Sequence, residues 1–148
     1  MVQANRQKIR TNPKTLKVFF GILAGFVAYM VIGSLGLYLL KISWADYAIS
    51  SKDKSYTFAM LLSRLFIGIF ASIAAGVSAT KIANDKGKSA WFAGAIVFCV
   101  AAYIHFVRVW TDYPVWYHFA YLLPIIPIIG ISHYFFANGN RLNSDTDL

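Results

Sequence analysis

The chain contains no glutamate, and its acidic residues are six aspartates. None of them falls inside a long apolar run. Paired-carboxylate catalysis therefore has no foothold there, and proton-coupled transport, which usually relies on an intramembrane Asp or Glu, is disfavoured. Cysteine is almost absent: Cys99 stands alone, so no internal disulfide can form. Its position in an apolar run reads as a small hydrophobic filler. Nucleophile and phosphate-binding signatures are missing as well, with no GxSxG, SxxK, HExxH or glycine-rich phosphate loop. Charged residues make up 14% of the chain, against roughly 25% in soluble domains.

What fills the chain instead is hydrocarbon. Hydrophobic residues reach 58%, and the charges are gathered into an N-terminal arm and short loops. That segregation points to an all-α integral membrane protein, a four-helix bundle running up-down-up-down. The expected spans are 18–40, 58–80, 89–110 and 115–136, preceded by a basic arm at 1–17 and followed by a polar tail at 138–148. At 1.5 Å per residue the first span, about 23 residues, crosses a hydrocarbon core of ~30 Å. It is too long for the apolar region of a cleavable signal peptide and lacks a small-x-small site after it.

The net charge of +8 raises nucleic acid as a partner. The basic residues flank apolar spans, however, so the lipid bilayer is the expected partner and nucleic acid is not. With the N-terminus inside, nine Lys and Arg lie on the cytoplasmic side and three or four on the other. This predicts both termini in the cytoplasm and a plasma-membrane location.

Details along the chain fit that frame. Gly21 and Gly25 form a GxxxG pair suited to close helix packing. Trp44, Tyr47 and Tyr56 suit the headgroup level of the 41–57 loop, part of which could form an interfacial helix. Arg64, Gly68, Ser72 and Gly76 follow one another at four-residue steps, a stripe that turns Arg64 toward the bundle. Ser89 is placed to cap the third span. Pro124 and Pro127 interrupt the fourth, where a kink is expected. His133, beside Tyr134, reads as an interfacial histidine.

The polar residues concentrate in the stretch from Tyr103 to Tyr121. His105, Arg108 and Asp112 share one face if the third helix continues that far, with Arg108 and Asp112 at ion-pair spacing. Together with Arg64, Tyr117 and His118 they define a candidate ligand-binding pocket opening to the outer face. Snorkelling of Arg108 and an ordinary aromatic belt would account for the same residues without any chemistry. Three sharper readings compete. Two guanidinium groups suit a carboxylate or lipid headgroup. His105, Asp112 and His118 could ligate a metal. His105 and His118 could be axial haem ligands. The sequence favours a non-enzymatic structural, accessory or ligand-sensing role, with no cofactor and with a membrane-protein partner or a homo-oligomer as its context. An oligomeric small-solute or ion transporter subunit is the alternative.

Overall fold

The computed structural model describes residues 12–137, and every regular element among them is helical. Helix α1 spans Pro13–Ser43, α2 Ala45–Asp53, α3 Phe58–Ala83 and α4 Lys88–Tyr103. A π-helical turn, Ile104–Arg108, continues α4, and α5 (Val115–Leu122) and α6 (Ile125–Ala137) complete the described part. The four-helix bundle is thus as expected, and four helical stretches are long and apolar enough to cross a membrane.

The boundaries differ from the sequence reading for local reasons. Helix α1 starts before the basic arm ends, because Asn12 accepts a hydrogen bond from the Lys14 N–H at 3.1 Å and Pro13 presets the first turn. The rest of the arm, and the polar tail, lie outside the described residues. The loop at 41–57 contains α2, which closes on Lys54 in the left-handed conformation (φ 58°). Helix α3 runs on to Ala83, where Asn84 takes the same conformation (φ 51°). Asp85, rather than Ser89, supplies the capping carboxylate of α4. It accepts from the Gly87 and Ser89 N–H groups at 3.0 and 2.8 Å, and the buried Ser89 hydroxyl donates to it as well.

The fourth span is two helices. The chain breaks at Leu123-Pro124, and only the first proline costs a helical bond. Pro127 falls in the first turn of α6, where N–H groups have no helical partner in any case.

The bundle closes around small side chains. Helix α1 packs on α3 and α4, and α6 packs on the same two from the other side. Ala71, Ala75 and Ala79 of α3 meet Ala90, Ala93 and Val97 of α4 and Ile125 and Ile129 of α6 in one buried core. The GxxxG pair serves this packing. A Cβ on Gly21 would meet the Ala79 carbonyl at 2.6 Å, and one on Gly25 the Ala75 carbonyl at 2.9 Å. Helices that cannot rely on hydrophobic burial gain from such close backbone approach. The outside of the bundle is correspondingly apolar, with Phe19, Phe66, Phe70 and Phe92 all exposed. Such a surface suits lipid rather than water.

Candidate functional site

Arg64 lies on α3 about 9 Å from its first residue, at 1.5 Å per residue. Its stripe faces α5 and α6, as the spacing predicts: Gly68 sits against the Tyr121 ring and Gly76 against Ile129 and Ser132. No carboxylate pairs with Arg64 among the described residues. Four tyrosines hold it instead. The guanidinium donates from Nη1 to the Tyr47 hydroxyl at 2.6 Å and from Nε to the Tyr117 hydroxyl at 3.2 Å. Its Cζ stands 5.3 Å from the Tyr56 ring centre and 5.0 Å from that of Tyr113.

The energies explain why this is stable. A cation within a membrane helix costs about 2.5–3.5 kcal/mol at mid-bilayer and less toward an end. Hydrogen bonds to charged groups return about 1.5–3 kcal/mol each. Cation–π contacts add about 0.5–2 kcal/mol more. Burial pushes the Tyr47 and Tyr113 hydroxyls above the ordinary phenol range, with Arg64 opposing the shift in both. They are therefore neutral at physiological pH. The cage solvates the arginine without cancelling its charge.

Tyr47 and Tyr56 thus have contacts that the sequence reading did not give them. Tyr47 is only 2% exposed and sits inside the cage. Tyr56 stacks on Tyr113 with ring centres 5.3 Å apart.

A second polar unit is built from the π turn and α5. His105 and His118 are both buried, and their Nδ1 atoms lie 2.9 Å apart. The Nε2 of His118 stands 3.1 Å from the Trp110 carbonyl oxygen. A carbonyl can only accept, so this Nε2 carries a proton. In a neutral pair His118 Nδ1 is then the acceptor and His105 Nδ1–H the donor. It follows that His105 Nε2 is left as an unprotonated lone pair, with no partner among the described residues and not fully buried.

The two units share one cavity of about 200 Å³. Arg64, His105, Tyr113, Tyr117 and Tyr121 supply its polar and aromatic wall, and Gly33, Leu37, Ile67, Ile104 and Val109 much of the remainder. Of the six residues expected to form a pocket, Arg64, His105 and Tyr117 line this cavity, and His118 stands behind His105.

Arg108 and Asp112 do not join it. The π turn widens the helix and the chain leaves it at Val109, so the α-helical register that would align residues 105, 108 and 112 is lost. Arg108 is exposed, and Asp112 pairs with Lys54 at 2.6 Å. Without Asp112 the metal triad is not assembled, and no other group of three His, Cys, Asp or Glu gathers among the described residues. Axial haem ligation by His105 and His118 also misfits. Two imidazoles on one metal stand about 4 Å apart, at ~2 Å each, whereas these rings are joined directly through Nδ1. His133 is buried against the protein. Its Nδ1 lies 2.7 Å from the Gly130 carbonyl, with the ring packed against Gly87 and Tyr134.

Sequence reasoning missed Tyr47, Tyr56, Tyr113 and Tyr121 as site residues. One signal was present: with no acid in any span, an arginine there had to be held by neutral oxygen and aromatic faces. No family model, curated protein or solved structure matches the chain.

Proposed function

We propose that this is a four-span membrane protein with both termini in the cytoplasm, and that it acts as a non-enzymatic ligand-sensing component. Its ligand is a small carboxylate held by Arg64 in the cavity that His105 also lines. One observation carries the reading: a half-buried guanidinium, solvated by tyrosines but unneutralised, faces a cavity. Three of its five N–H groups have no hydrogen-bond partner among the described residues. A carboxylate takes two such donors side by side. Aliphatic and aromatic walls suit the body of such an acid. The outward location of the cavity follows from the excess of basic residues on the opposite side. A membrane-protein partner or a second copy would receive the signal.

The transporter alternative has one observation in its favour. A second cavity of about 100 Å³ lies beside Pro124, beyond Tyr121 and Gly68. The path stops there, because Gly76 is packed against Ile129 and Ser132 below it.

The test is thermal unfolding of the purified protein with sodium benzoate at neutral pH. Benzoate raises the unfolding temperature of the wild type and leaves that of Arg64→Gln unchanged, since a ligand stabilises only the state that binds it. Equal responses of the two proteins, or none in the wild type, would overturn the reading.

A further inference from the structure

The polar cavity is open on its lipid side. Gly33, Leu37, Ile104, His105 and Tyr121 line it, and the same five residues line a hollow of about 160 Å³ between α1 and α4. The two helices are tight lower down, where a Cβ on Gly25 would stand 3.1 Å from that of Ala93. They splay above. At Gly33 the equivalent point has only the Ala71 Cβ within 4.0 Å, and no atom of α4. A separate hollow, which also borders Val100, is walled by Phe19, Leu23, Phe26 and Ile96. From Tyr29 to Leu37 the groove follows α1 for about 12 Å at 1.5 Å per residue. That is close to half of a ~30 Å hydrocarbon core.

Building on the carboxylate reading, we propose that the ligand is a long-chain fatty acid that reaches the cavity laterally from the bilayer. Its carboxyl group lies between Arg64 and His105, and its single tail lies in the groove between α1 and α4. The charge argument selects this occupant. A carboxyl group presents oxygen to the guanidinium and, while protonated, an O–H to the bare Nε2 of His105. One groove leaves the polar cavity between these helices, which fits one chain. The hydrocarbon side walls offer nothing to the ester oxygens of a glycerolipid. A tail concentrates the acid in the bilayer beside the groove, so a long-chain acid acts at a lower total concentration than benzoate.

The experiment uses the full-length protein in phosphatidylcholine nanodiscs, with unfolding temperature followed against palmitate, methyl palmitate, benzoate and phosphatidylglycerol. Palmitate is expected to stabilise the wild type at concentrations at least tenfold below benzoate, with methyl palmitate inert. Ser34→Phe, an exposed position on the groove wall, loses the palmitate response and keeps that to benzoate; Arg64→Gln loses both. Val100→Phe repeats the test from α4, so a folding defect in one variant does not decide the matter. Equal effects of palmitate and methyl palmitate would overturn the proposal. So would phosphatidylglycerol acting in place of palmitate. If benzoate matches palmitate and the groove variants change nothing, the lipid proposal falls while the carboxylate site stands. If neither acid acts, both fall.

Discussion

His105 and His118 share one proton across 2.9 Å between their Nδ1 atoms. The Trp110 carbonyl fixes which ring donates, because it commits the Nε2 of His118 to a proton. The pair is therefore ordered by a backbone atom of the turn between α4 and α5. Either histidine alone becomes a liability when its partner is removed. His118→Phe leaves the His105 N–H buried and unsatisfied, which costs about 1–3 kcal/mol. The double variant His105→Phe/His118→Phe removes both polar rings and is expected to cost less than the sum of the single changes. A double-mutant cycle by chemical denaturation reads this directly, with coupling of about 1 kcal/mol or more for residues in contact. Additive losses would mean that the two rings do not interact.

The tyrosine cage predicts alkaline sensitivity. Burial raises the Tyr47 and Tyr113 hydroxyls in the folded protein, while the unfolded chain titrates near the ordinary value of about 10. A group whose folded value is raised stabilises fully below the unfolded value and loses that contribution as pH rises through the folded one. Stability should therefore hold up to about pH 10 and decline above it. Tyr47→Phe/Tyr113→Phe is expected to be less stable at neutral pH, having lost a hydrogen bond to Arg64, yet to show a shallower decline between about pH 10 and 12. Unfolding temperature measured across that interval is the check, and parallel curves for the two proteins would contradict it.

Much of this arrangement was legible in the sequence and some was not. The four spans follow from charge segregation, since a long apolar run with at most one charge has few options other than lipid. The inward aim of Arg64 follows from its four-residue spacing with Gly68, Ser72 and Gly76. The Tyr47 and Tyr56 contacts were hidden, because they come from α2 and the loop after it, where no periodicity relates them to α3. The pairing of Asp112 failed for a different reason. Helical spacing beyond Tyr103 assumes an α-helix, and the π turn at Ile104–Arg108 has no composition that marks it. The capping of α4 by Asp85 rather than Ser89 likewise depends on a turn, with Gly87 at φ 87°, whose shape the sequence only hints at.

Glycines along α1 and α3 are expected to differ sharply in their tolerance of a methyl group. At Gly76 a Cβ would collide with the Ile129 carbonyl and the Ser132 hydroxyl, both on α6. Backbone atoms cannot step aside, so α3 and α6 must separate. Gly76→Ala is predicted to cost about 1–3 kcal/mol, the usual range for overpacking. At Gly33 the nearest atom is 4.0 Å away. Gly33→Ala fits without strain and gains about 0.4–1 kcal/mol from a stiffer unfolded chain and better helix propensity. Unfolding midpoints of the two variants should move in opposite directions, and a shared loss would argue against the open space beside Gly33.

Lys54 and Asp112 give the last contrast, because sequence spacing and structure assign Asp112 different partners. The pair joins the end of α2 to the turn before α5, with the lysine side chain 58% exposed. An exposed pair is worth about 0.2–1 kcal/mol and weakens as the Debye length falls to ~3 Å at 1 M salt. A cycle of Lys54→Ala and Asp112→Ala should show that coupling at low salt, whereas Arg108→Ala and Asp112→Ala should be additive. The same pair bears on the site. Lys54 holds the aspartate adjacent to Tyr113, whose ring faces Arg64. Lys54→Ala removes a cation and releases a competing carboxylate, so benzoate affinity is expected to fall several-fold. Asp112→Asn in the same background removes the competitor and should restore part of it. Benzoate titrations of the two variants, followed by unfolding temperature, test this. An unchanged affinity in Lys54→Ala would show that Asp112 has no access to the arginine.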